Sequence, residues 1–259
     1  MNANEYSMTC VGPTVARLLG LGCLADAIGE AIPEIVDQVG GAERLAILAP
    51  DGLGEFAFRL WRAEMPYLGS LCGQCYVTLR SVMPSITPVN FAAMVSGTDL
   101  EGHGVRAKEM DFKCHTLFDL LREQGRTSSG VGLPGYSGSV LLARCSDVGG
   151  TAPVHDDGAL ETLTLSIARE QLPDFLIVQI GETDDHFHRV GPSSPLIAPK
   201  LRETDQRLAR MTAALRDLEY VVILLSDHGQ HDTGDPAHGG THGTDSDEDC
   251  LVPCTWVSP

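Results

Sequence analysis

Three short apolar runs, each closing on an acidic residue, constrain this chain more than any other feature: Leu45-Ala-Ile-Leu-Ala49 before Asp51, Phe175-Leu-Ile-Val-Gln-Ile180 before Asp184, and Val221-Val-Ile-Leu-Leu225 before Asp227. Continuous apolar runs of this length suit strands buried on both faces, as in a parallel sheet. The intervening segments read as helices: Thr116 to Gln124 closed by Gly125, Ala159 to Gln171, and Lys200 to Leu218 with Leu201, Leu208, Met211 and Leu215 on one stripe. Strands alternating with helices predict an α/β fold, doubly wound, with a mostly parallel central sheet and helices on both faces. Ligands in such folds gather at the carboxyl ends of the strands, where the three acidic residues fall.

The pattern runs the length of the chain, so residues 1–259 are expected to form a single domain. The Gly- and Ser-rich segments Ser128 to Gly138 and Gly149 to Gly158 read as loops, which makes 128–158 a candidate small insert. The segment Leu251 to Val257 reads as a closing strand, at an edge because of Pro253. With 35 acidic against 18 basic residues the formal charge is −17, which speaks against a protein that coats nucleic acid. The apolar run Leu18 to Ala25 is bracketed by Arg17 and Asp26, well short of the ~18 residues that cross a membrane. The amino end lacks the order of a secretory signal, so a cytoplasmic location is the expectation. The eight cysteines then read mainly as buried thiols; the pairs Cys72/Cys75 and Cys250/Cys254 offer a zinc knot as the lesser alternative.

Four further segments carry chemistry. In Met83 to Gly97, Thr87 reads as a helix N-cap, Pro88 as the first helical residue and Gly97 as the closing residue. A hydroxyl there sits at the positive end of a helix, where an alkoxide and a phosphate are both stabilised. Asp184 and His188 stand four apart after one buried run, Asp227 and His228 are adjacent after another, and His242 lies in the Gly-rich stretch Gly239 to Gly243. Each alone reads equally well as a cap or a polar loop tip. With Asp51 they supply three Asp and three His at one sheet edge, a set that suits zinc, with manganese or iron as alternatives. Ser226-Asp227-His228 does not make a serine-hydrolase triad, because three successive residues cannot place the imidazole between the other two.

Taken in order, these motifs resemble the nucleotide pyrophosphatase/phosphodiesterase family of the alkaline phosphatase superfamily. The resemblance is carried by Asp51 after a strand, by Pro84, Thr87, Asn90, Gly97 and His103-Gly104, by Asp184, His188, Gly191 and Pro192, by Ser226 to Gly229, and by His242-Gly243. It implies an alkaline-phosphatase-like core with a minimal cap and two divalent metal ions, one held by Asp184, His188 and His242 and the other by Asp51, Asp227, His228 and the Thr87 oxygen. It also implies contact of Asn90 with the phosphoryl oxygen. His103, in the family's His-Gly position, reads as structural, and His186 and His231, which lie next to ligands but off the pattern, read as candidates for supporting places behind them. The implied activity is hydrolysis of a small phosphorylated or phosphonate substrate, as a phosphodiesterase or nucleotide pyrophosphatase, through a metal-activated Thr87 and a phospho-threonine intermediate. Alternatives that share the site are a phosphonoacetate-type hydrolase and a phosphomonoesterase; a metal-stabilised binding protein is the non-enzymatic one. No Arg or Lys stands beside Thr87 in sequence, which favours diesters, and Pro88-Val89 replaces the aromatic-then-proline pair common in the family.

Overall fold

A computed structural model of the chain describes residues 4–235 and 237–259. The strands are β1 (Glu5–Ser7), β2 (Arg44–Pro50), β3 (Val77–Arg80), β4 (Ser128–Gly132), β5 (Val148–Thr151), β6 (Phe175–Ile180), β7 (Tyr220–Leu225), β8 (His231–Asp235), β9 (His238–Thr241) and β10 (Leu251–Val257). Eight of them form one sheet in the order β1-β3-β10-β7-β2-β6-β4-β5, while β8 and β9 pair as a separate hairpin. Strand β10 runs antiparallel to both its neighbours, and the other pairs of the large sheet are parallel. The fold is therefore the doubly wound, mostly parallel α/β arrangement that the alternation of elements predicts.

The alternation of side chains across a strand explains why β2, β6 and β7 had to be apolar throughout. Leu45, Ile47 and Ala49 of β2 enter a core shared with the helices Val11–Leu18 and Leu117–Glu123. Ala46 and Leu48 of the same strand enter the core on the opposite face, against the helix Ala198–Arg216 with its Leu201, Leu208, Met211 and Leu215 stripe. The helix Leu117–Glu123 begins at a capping box, in which Thr116 accepts from the Asp119 amide and Asp119 accepts from the Thr116 amide. No helix among the described residues is long and apolar enough to cross a membrane.

Three expectations are corrected. The segment 128–158 is not a loop insert, because it supplies the sheet strands β4 and β5. Its glycines are there for closeness: a Cβ on Gly130 would lie 2.5 Å from the Leu142 backbone, and one on Gly132 would lie 2.7 Å from Gly138. Small residues in a strand admit a neighbouring backbone, and the same composition reads as loop in sequence. Strand β10 is internal, yet Pro253 is paired to β3 alone and the β7 ladder starts one residue on, at Cys254, so locally it behaves as an edge residue. The cysteines are not mainly buried, since only Cys250 and Cys254 are and Cys23 is exposed; nor do the pairs form the alternative knot, for the Cys75 thiol donates to Gln38 Oε1 while the Cys250 thiol donates to the Thr244 carbonyl.

Candidate metal centre

Parallel pairing sets β7, β2 and β6 side by side, so their carboxyl ends open at one edge. Asp51 follows β2 directly, Asp227 and His228 follow β7, and Asp184 and His188 lie on the helix Glu182–Val190 that follows β6. The hairpin β8–β9 brings His242 to the same place. Asp51, Asp227 and His228 form one group with ligand atoms within 4.8 Å of one another, and Asp184, His228 and His242 form a second. The two groups share His228, whose ring stacks on that of His242 with centroids 3.8 Å apart. His188 stands at the outer side, with Nε2 at 3.3 Å from Asp184 Oδ2 and its ring 5.1 Å from that of His242.

The surrounding backbone orients all three imidazoles alike. His228 Nδ1 donates to the Gly229 carbonyl at 3.0 Å, His188 Nδ1 to the Gly240 carbonyl at 3.0 Å, and His242 Nδ1 to the Ser85 carbonyl at 2.9 Å. With Nδ1 protonated, each Nε2 lone pair is turned inward, as a metal ligand requires. The carboxylates are held too: Asp51 accepts from Gln179 Nε2, Asp184 from Gln230 Nε2, and Asp227 Oδ1 from the Gly52 amide. Gly52 has φ +72°, and a Cβ there would meet Asp184 Oδ1 at 2.8 Å, so the turn after β2 needs a glycine for both reasons.

This donor set fits divalent cations. Asp51 and Asp227 are 1% and 0% exposed and converge on each other, an arrangement that is costly without a positive charge between them. Asp227 Oδ2 is buried with no hydrogen-bond donor, which leaves a carboxylate oxygen aimed at the space a cation would fill. Burial, and then the charges of Asp227 and Asp184, push the Asp51 carboxyl well above the usual range. Burial raises Asp184 as well, but where the imidazoles carry a second proton the hydrogen bond with His188 and the charges of His228, His188 and His242 outweigh it and hold that carboxyl low.

Thr87 is the first residue of the helix Thr87–Ser96, not its cap; the cap position is Ile86 and no side chain caps the helix. The hydroxyl is thereby released from capping. It donates to His228 Nε2 at 3.1 Å and stands 3.5 Å from Asp51 Oδ1. Asn90 does not reach the cleft. It is fully buried, its Oδ1 accepts from the Val82 amide at 2.7 Å, and its Nδ2 donates to the Val82 and Ile86 carbonyls at 3.2 Å. Its amide therefore closes the turn that presents Thr87, and an oxygen of a substrate would find no free donor on it.

His103 is buried, accepts from the Val105 amide through Nδ1 and is pushed down to about 4 by burial. His186 donates within its own helix to the Glu182 carbonyl. His231 hydrogen-bonds Asp249, which in turn accepts from the amide and hydroxyl of Thr244 and so ties down the loop after His242. Sequence reasoning missed Gln179 and Gln230, although Gln179 is the single polar residue in the run 175–180 and that interruption was the available signal. It also missed other residues of the cleft. A cleft of about 480 Å³ is lined by Thr87, Arg106, Lys108 and Tyr136 together with Asp51 and Asp184, so basic residues do share the cleft with Thr87.

The chain resembles known proteins in three ways. A family model described as type I phosphodiesterase/nucleotide pyrophosphatase matches residues 126–242. The venom phosphodiesterase of Naja atra is 27% identical over 79% of this chain and 28% of its own length, and ectonucleotide pyrophosphatase/phosphodiesterase family member 3 of Bos taurus is 26% identical over 72% and 25%. The chain thus spans about a quarter of the length of these two relatives. Among solved structures, murine ectonucleotide pyrophosphatase/phosphodiesterase 5 superposes with a TM-score of 0.68 at 13% identity, covering 83% of this chain and 88% of that one. Phosphonoacetate hydrolase of Sinorhizobium meliloti, in complex with phosphonoacetate, superposes with a TM-score of 0.56 at 16% identity over 75% of this chain and 58% of that one.

Proposed function

We propose that the chain, which is similar to type I phosphodiesterases/nucleotide pyrophosphatases over residues 126–242, belongs to that family of the alkaline phosphatase superfamily and is a two-metal hydrolase of phosphoric esters or anhydrides, of phosphodiesterase or nucleotide pyrophosphatase type, acting through Thr87. In this reading Asp51, Asp227 and His228 hold one divalent cation beside the Thr87 oxygen, and Asp184, His188 and His242 hold the other; zinc is the first choice for both. Such cations would supply Lewis-acid stabilisation of the Thr87 alkoxide and of charge developing on the phosphoryl and leaving oxygens.

The chain's own residues account for the rest. Thr87 gives up its hydroxyl proton to solvent as Oγ1 forms a bond to phosphorus and the bond from phosphorus to the leaving oxygen breaks, and the leaving group departs with that electron pair and takes up a proton from solvent. A water then displaces Thr87 at phosphorus in a second in-line step, releasing the phosphoryl product and restoring the hydroxyl. The helix Thr87–Ser96 places the positive end of its dipole at Thr87, and Asn90 ties the preceding turn so that the nucleophile is held in place.

The observation that carries the reading is the Thr87 hydroxyl, free of any capping duty and in contact with both an Asp and a His of the candidate metal group. A binding protein has no use for a hydroxyl there. Elemental analysis of protein purified without chelator is expected to find two divalent ions per chain, and Thr87→Ala to retain them while turnover of bis-p-nitrophenyl phosphate falls about a thousandfold or more. Undiminished turnover in that variant would end the proposal.

A further inference from the structure

Resting on that reading, we infer that Arg106 and Lys108 form an anion subsite in the cleft, and that the substrate carries a second negative charge next to the scissile phosphorus. The two cations and Thr87 line the same cleft, with the candidate metal ligands Asp51 and Asp184. In a chain where acid outnumbers base almost two to one, neither of them has a carboxylate within ion-pairing distance among the described residues. Lys108 Nζ instead donates to the Gly135 carbonyl, a neutral partner that a stronger anionic acceptor would displace. Arg106 is exposed and its guanidinium makes no hydrogen bond among the described residues.

The segment that bears them is built rather than loose. The Met110 amide donates to the Ala107 carbonyl at 3.0 Å, Arg144 donates to the Met110 carbonyl at 2.7 Å, and the Lys113 amide donates to the His103 carbonyl at 3.0 Å. Glu109 shares the cleft wall but is exposed, and Tyr136 has its hydroxyl committed to Asp185.

A diester carries one charge on its phosphoryl group, which cations held at the metal centre would answer. The basic side chains of Arg106 and Lys108, in the same cleft as Thr87, match a substrate with further negative charge. That charge is either the second ionisation of a phosphomonoester or an anionic group on the leaving side, as in a phosphoric anhydride. Either chemistry meets the same charge-assisted hydrogen bonds.

The test compares the metal-loaded full chain with Arg106→Gln, Lys108→Gln and the double variant on p-nitrophenyl phosphate, ADP and bis-p-nitrophenyl phosphate. The readout is the ratio of kcat/KM for each doubly charged substrate to that for the diester. In the same backgrounds carrying Thr87→Ala, calorimetry gives the ratio of affinities for phenyl phosphate and dimethyl phosphate. The ratios are expected to fall about tenfold or more in the double variant and to survive largely in the charge-keeping Arg106→Lys. A fall confined to p-nitrophenyl phosphate assigns the second charge to the phosphoryl group, and one confined to ADP assigns it to the leaving group. Unchanged ratios in the double variant overturn the subsite. Hydrolysis with unchanged ratios leaves the hydrolase reading standing without the subsite. A falling affinity ratio in a chain that hydrolyses none of the three esters leaves the subsite standing without the hydrolase.

Discussion

The two walls of the cleft are built on opposite principles. On one side, Asp51, Asp227 and His228 are all but excluded from water, follow directly on strands of one sheet, and have nearly every polar atom held by a neighbour. On the other, Arg106 and Lys108 sit on an irregular segment, at least partly exposed, with no ion-pair partner among the described residues. Buried charge must be held rigidly because desolvation is costly, whereas cations at a rim cost little to leave free and so remain available to a ligand. Rigidity suits the place where bonds would change, and availability suits the place where a substrate would be chosen.

The comparison can be broken at several points. The largest effect is expected from Asp227→Asn, which keeps the acceptor for the Gly52 amide but removes an anionic ligand. Outer partners of metal ligands are worth about 10–100-fold, so loss of the ligand itself is expected to lower metal affinity by more than about a hundredfold, read by titration with zinc. Gln179→Leu removes the donor to Asp51 without touching a ligand, and is expected to lower affinity within that 10–100-fold range while the fold, followed by circular dichroism, is kept. Should Gln179→Leu bind metal as tightly as the wild type, the rigid-wall account would lose its support.

Acid should act on the other wall. Burial holds His103 down at about 4 against an ordinary value near 6.5, so between those values the unfolded chain binds the proton that the folded one refuses. The contribution is complete above pH 6.5 and is lost as pH falls through the window to 4, amounting to about 2 kcal/mol by pH 5. Denaturant midpoints at pH 7.5 and 5 should show that loss, and His103→Gln should abolish most of the difference. The smallest effect is expected far from the cleft. Thr116→Ala deletes the capping box of the helix Leu117–Glu123 and should cost about 1 kcal/mol in the same assay, with turnover unaltered.

Much of this was legible in the chain of residues. The three apolar runs are strands because no other structure buries an uninterrupted apolar segment of that length on both sides. Asp51 and Asp227 stand just past strand ends and Asp184 lies in the first turn of the helix after β6, because the polar residues that follow a buried strand are the first to reach solvent or a ligand. Other positions were illegible for stated reasons. Gly130 and Gly132 suggest a loop when only the approach of the Gly138 and Leu142 backbones makes them strand residues. Asn90 suggests a substrate contact by its spacing from Thr87, yet its amide spans the turn at Val82 and Ile86.

The sequence by itself determined the three central strands and the helices between them, the acidic residues that follow those strands and the presence of Thr87 at the start of a helix, because each depends on periodicity, composition or capping within a few neighbouring residues. Only the tertiary structure decided that β4 and β5 are strands and which side chains meet. His242 reaches His228 through a hairpin, Gln230 and Gln179 find the carboxylates they hold, and Arg106 and Lys108 come to line the cleft of Thr87 from a segment beyond the next helix. Those meetings join residues far apart in the chain through the packing of a sheet edge, and no local rule of propensity or spacing contains that distance.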